Sequence, residues 1–81
     1  MNWQEYIHTD SAVLAGKPVI KGTRISVELI LERLANGWTE QMILESYPHL
    51  PKNALPAVYT FLLENIREDV FQIPTTLRQA S

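Results

Sequence analysis

The chain has 81 residues, 46% hydrophobic and 20% charged, with 7 Lys and Arg against 9 Asp and Glu and a net charge of −2. These values describe one small globular domain around a single core. They exclude a second domain, a disordered chain, and a protein that binds nucleic acid through bulk positive charge. With Cys at 0, disulfides, thiolate nucleophiles and Cys-based zinc sites are excluded as well.

The opening residues Met1-Asn2-Trp3-Gln4-Glu5-Tyr6 lack the basic stretch and apolar run of a secretory leader. No apolar run approaches the ~18 residues of a membrane span. A soluble, cytoplasmic protein with no membrane contact is expected.

Residues 1–25 read as an irregular arm. Trp3, Tyr6 and Ile7 are apolar enough to dock a short N-terminal turn or strand, and Asp10-Ser11 is a turn signal. Gly16-Lys17-Pro18 and Gly22-Thr23 mark two further turns. The β-branched pair Val19-Ile20 reads as a strand, so the simplest arrangement is a β-hairpin of Tyr6-Ile7-His8 with Val19-Ile20. Two strands this short are marginal alone and need the cover of helices or of another chain.

Residues 26–71 carry helical spacing. Ser26 is an N-cap residue; Val27, Ile30, Leu31 and Leu34 follow on one face, and Gly37 supplies a C-terminal stop. The first helix is predicted over 27–36. Trp38 is expected in the core, Thr39 caps the next helix, and Met42, Ile43 and Tyr47 form its stripe. Pro48 ends this second helix, predicted over 40–47. The third helix is placed by Pro56, which only the first turn tolerates. Asn53 as N-cap starts it, and Leu55, Val58, Tyr59, Leu62, Leu63, Ile66 and Val70 carry it to about Asp69. Ile73-Pro74 breaks the pattern, and 72–81 reads as a tail.

Three helices with a short middle one and a Gly-containing turn form the trihelical helix-turn-helix pattern. In that pattern the third helix is the recognition helix, its N-terminal residues Lys52, Asn53, Ala54 and Ala57 facing a major groove. Lys52 is a candidate phosphate contact and Asn53 a candidate reader of an adenine edge. Lys17, Lys21 and Arg24 cluster in the arm and are candidate phosphate contacts too. The structural alternative for the lysines is solvation; for Arg24 the expected reading is a pairing with Asp10 or a helix carboxylate, since an Arg in a turn often ties loop to helix. The same pattern also describes an interaction module that binds no nucleic acid.

The block Gly16-Lys17-Pro18-Val19-Ile20-Lys21-Gly22-Thr23-Arg24-Ile25-Ser26-Val27 resembles the signature of the domain of unknown function 433. The likeness continues through Ile30, Leu34-Ala35-Asn36-Gly37-Trp38-Thr39, Ile43, Tyr47-Pro48 and Leu50. The resemblance implies a mostly α, three-helix homeodomain-like helix-turn-helix bundle with a short N-terminal β-hairpin arm. It further implies the antitoxin of a bacterial toxin–antitoxin pair, with a PIN-like toxin as partner. The chain departs from the family pattern after Leu50, where Pro51 stands in place of a capping Thr or Ser.

Phe71, Ile73 and Leu77 are the candidate partner-binding residues, in a tail that folds on binding. A homodimer is expected, because the hairpin needs cover and Trp3, Tyr6, Phe61 and Phe71 exceed what so small a bundle buries. His8 and His49 have no metal-ligand spacing. His8-Thr9-Asp10-Ser11 holds triad-type residues whose adjacent positions diverge. No enzyme activity, metal or cofactor is expected. The expected partners are double-stranded DNA, the PIN-like toxin and a second copy of the chain.

Overall fold

The computed structural model describes residues 1–68. A 3-10 turn, Trp3–Glu5, opens the chain, with the Asn2 side chain accepting from Gln4 N at 3.2 Å. Strand β1, Ile7–His8, then pairs antiparallel with β2, Val19–Ile20, so that Ile7 lies opposite Ile20 and His8 opposite Val19. The hairpin therefore forms in the predicted place.

The hairpin has a third partner that local patterning does not reveal. Ile20 N donates to Ile25 O at 2.9 Å, Val27 N donates to Pro18 O at 3.0 Å, and Val19 bridges Ser26. The chain after β2 thus reverses through a four-residue loop and runs back along the free edge of the strand. With both edges paired and α1 starting at Val27, Val19 and Ile20 are fully buried. Gly22 sits in that loop at φ +80°, a left-handed conformation that glycine adopts without a Cβ clash. Thr23 Oγ1 fastens the loop by donating to Ile20 O at 2.8 Å and accepting from Ile25 N at 3.0 Å.

The link between the strands is tighter than its composition suggests. Asp10 Oδ1 accepts from Ala12 N at 2.9 Å, a side-chain turn that uses the carboxylate locally. A second 3-10 turn, Leu14–Gly16, follows with Leu14 at φ 49°, Ala15 at φ 56° and Gly16 at φ 83°. Gly16 adopts this conformation without a Cβ clash; Leu14 and Ala15 join it at a cost of about 1–2 kcal/mol each.

Three helices complete the fold: α1 Val27–Ala35, α2 Glu40–Ser46 and α3 Ala54–Arg67. Each predicted end moves by a residue or two, within the fraying of any helix terminus, and Asp69 lies outside the described residues. Ser26 Oγ accepts from Leu29 N at 2.9 Å and Thr39 Oγ1 from Met42 N at 3.1 Å, so both predicted caps form. Gly37, at φ +92°, closes α1, with Trp38 N donating back to Arg33 O at 3.0 Å.

The predicted cap at Asn53 does not form. Its side chain makes no cap hydrogen bond, and its backbone is at φ −96°, ψ 14° instead of extended. An N-cap side chain accepts from the second or third backbone N–H of its helix, and Pro56 is the third residue of α3 and has no N–H. Pro56 thus removes one of the two usual donors, and the backbone of Asn53, not extended as a cap requires, does not bring its side chain to the other, Leu55 N. Asn53 Nδ2 instead donates to Tyr6 Oη at 3.2 Å. Ser26→Ala should therefore cost about 1 kcal/mol, whereas Asn53→Ala should cost only a few tenths, as for a surface substitution. Urea midpoints of the two variants would check this, and equal losses would restore the cap at Asn53.

The core is one cluster of Ile7, Ile20, Val27, Ile30, Ile43, Leu50, Ala54, Leu55, Ala57 and Val58, with Trp3, Tyr6, Trp38, Tyr47 and Phe61 packed around it. Trp3 meets Phe61 edge to face, with centroids 4.9 Å apart and planes at 78°, which seats the N-terminal turn on α3. Trp38 is half-buried, with Arg33 Cζ 5.2 Å from its ring centroid. Trp3, Tyr6 and Phe61 thus find cover within the chain; Phe71 lies outside the described residues. Among the described residues, no helix is long and apolar enough to cross a membrane.

Candidate nucleic-acid interface

Tyr6 brings the two halves of the candidate surface together. Its carbonyl accepts from Lys21 N at 2.8 Å, and its hydroxyl accepts from Asn53 Nδ2 at 3.2 Å. One tyrosine therefore touches the loop after β2 on one side and the start of α3 on the other. Lys21 and Arg24 flank that loop, which the Ile20–Ile25 hydrogen bond closes, so both exposed side chains project from one narrow end of the arm. Lys52, also exposed, precedes Asn53.

Lys17 does not join this group. It lies before Pro18, at the opposite end of β2, and its Nζ is 2.8 Å from Glu28 Oε1. The hydrogen bond and the charge of Glu28 raise the Lys17 pKa, and the same contact holds Glu28 below its ordinary value. Both side chains are exposed, so salt screens the pair. The expected pairing of Arg24 is not seen: Lys17–Glu28 is the one ion pair among the described residues. Asp10, its suggested partner, caps its own turn.

Ala54 and Ala57 are corrected as well. Both are fully buried against the core and cannot face a groove. The outward face of α3 carries Pro56, Tyr59, Leu63 and Ile66 instead, with Tyr59, Leu63 and Ile66 at 41%, 44% and 51% exposure. The apolar spacing along α3 read as core, yet it covers a wider arc than one neighbouring surface can bury. That excess width was the available signal.

Tyr59 also ties α3 to α2: its hydroxyl donates to Glu40 Oε2 at 2.9 Å. Burial, then the hydrogen bond to Glu40, then the charge of Glu40, raise the phenol pKa. The proton on Tyr59 is thus held more tightly in the folded chain. Its contribution to stability is complete below the ordinary phenol value of about 10 and is lost as pH rises through the folded value. Glu40→Ala removes two of the three causes. It should lower the titration midpoint of the Tyr59 ring resonance; an unchanged midpoint would mean that the bond does not persist in solution.

Among the described residues, no group of three or more His, Asp and Glu could hold a metal ion. Phe71, Ile73 and Leu77 lie outside the described residues.

Comparison with known proteins bears on these features. A family model described as "Protein of unknown function (DUF433)" matches residues 7–61, a span that holds the hairpin, α1, α2 and the first half of α3. No curated protein matches the chain. The crystal structure of a DUF433 member protein from Anabaena variabilis ATCC 29413 superposes with a TM-score of 0.72 at 26% identity, over 80% of this chain and 64% of that one. This chain therefore spans less than two thirds of that protein's length. With the match running through the signature turns and both capped helices, over more than half of the chain, the chain belongs to the DUF433 family.

Proposed function

We infer that the chain is an antitoxin-like DNA-binding regulator that acts in the cytoplasm together with a PIN-like toxin. The observation that carries this reading is that Tyr6 ties the loop of Lys21 and Arg24 to the start of α3, its carbonyl accepting from Lys21 N and its hydroxyl from Asn53 Nδ2. Two exposed cations on that loop and a third just before α3 are thus linked through one tyrosine, in a protein whose net charge is −2. A local positive end on an acidic protein suits oriented docking on phosphates and not general charge attraction. In this reading Lys21, Arg24 and Lys52 contact phosphates and fix the register. Asn53 reads a base edge by exchanging its exposed bond to Tyr6 for one to adenine. Phe71, Ile73 and Leu77 engage the toxin.

A second reading, an interaction module that binds no nucleic acid, is favoured by the outward face of α3. A recognition helix that enters the groove along its length is polar and basic there, whereas this one presents Tyr59, Leu63, Ile66 and Glu64. Retardation of duplex DNA by the purified chain, alone and with its partner, separates the two. Binding that weakens steeply with salt supports the regulator. No retardation at low salt in either arm leaves the interaction module.

A further inference from the structure

The exposed apolar ridge of α3 has a charge pattern that complements itself, and we propose that it is the contact between two copies of this chain, packed antiparallel about a two-fold axis at Leu63. Tyr59, Leu63 and Arg67 occupy successive turns of the 14-residue helix, one ridge of the kind that packs against its like when two helices cross at about −50°. Four residues before Leu63, Tyr59 holds the carboxylate of Glu40 at 2.9 Å. Four residues after Leu63 stands the exposed guanidinium of Arg67. The ridge thus carries an anion at its Tyr59 end and a cation at its Arg67 end, with Leu63 midway in sequence between Tyr59 and Arg67. The two-fold operation sets Arg67 of each copy against Tyr59 and Glu40 of the other, with Leu63 on Leu63 at the centre.

The flanks agree with this arrangement. The two-fold keeps Ile66 of both copies on the same flank of the contact, where its exposed side chain adds to the apolar strip. An isologous interface requires a patch that complements itself in this way, whereas an unrelated partner has no need of an anion and a cation placed on either side of one leucine. The ridge is small beside the ~800 Å² per partner of a standard interface, so the dimer is weak and in exchange with monomer. It leaves Lys21, Arg24, Lys52 and Asn53 uncovered and forms independently of nucleic acid.

The test is sedimentation equilibrium of the full chain across the micromolar range, without DNA. Concentration-dependent dimerisation is expected. Leu63→Asp should abolish it, and Arg67→Glu should weaken it roughly tenfold or more. Combining Arg67→Glu with Glu40→Arg should recover most of the loss. All these positions are on the surface, and circular dichroism confirms that the variants keep their helices. A chain that stays monomeric throughout would overturn the proposal. So would a dimer indifferent to Leu63→Asp, as would a charge reversal without recovery.

Discussion

Ile30→Ala is expected to remove about 3 kcal/mol of stability and to lower the melting temperature by roughly 15 °C. Ile30 is fully buried on α1, in one cluster with Ile20, Ile43, Leu55 and Val58 from β2, α2 and α3. Truncation to alanine removes three carbons and leaves a cavity that helices held by β2 on one side and α3 on the other cannot collapse to fill. A domain of this size has about 4–12 kcal/mol of stability in total, so the loss is a large part of it. Ile30→Val removes one methyl group and should cost about 1 kcal/mol. Urea denaturation of both variants would show midpoints falling in that order with the slope unchanged. If Ile30→Ala cost no more than the loss of the Ser26 cap, the packing centre would lie elsewhere.

The second large effect concerns the positive end of the arm. Simultaneous replacement of Lys21, Arg24 and Lys52 by Gln should abolish retardation of duplex DNA at moderate salt. The wild-type chain should show a slope of log affinity against log salt of about −2.7 per protomer from three phosphate contacts, and each single replacement should reduce the slope by about 0.9. Lys17→Gln is the internal control. Lys17 is engaged with Glu28 at the other end of β2, so its removal should leave the slope nearly unchanged. Asn53→Ala should likewise preserve the slope while relaxing preference at one base pair. A triple variant that binds as well as wild type would remove these cations from the interface.

Most of the local architecture was legible because its signals act on their own neighbours. Ser26 and Thr39 reach N–H groups three residues on, Gly37 relieves a clash within its own residue, and Pro48 acts on the residue before it. The hairpin register follows from Ile7 and Ile20 needing the same covered side. Asn53 shows where this logic stops. Its residue type says N-cap, but Pro56 offers no N–H to its side-chain oxygen, and its amide instead donates to a tyrosine 47 positions away. Nothing local to Asn53 names that tyrosine. Leu14 and Ala15 are a similar case, held left-handed by the closure of the link between β1 and β2.

For the candidate surface, residue types named the cations but not their fates. Lys17 and Lys21 are near neighbours in sequence, yet β2 sends them to opposite ends of a strand, one to Glu28 and the other to the backbone of Tyr6. On α3, periodicity marked every apolar position alike. Packing then divided them into a buried set, Leu55 and Val58, and an uncovered set, Tyr59, Leu63 and Ile66. Helix ends, turns and the hairpin depend on steric limits and hydrogen bonds that span a few residues, and those are written in the order of the amino acids. Which charges are neutralised, which side of a helix meets solvent and which distant side chains meet depend on where whole elements come to rest. That placement is a property of the packed core and of no single segment.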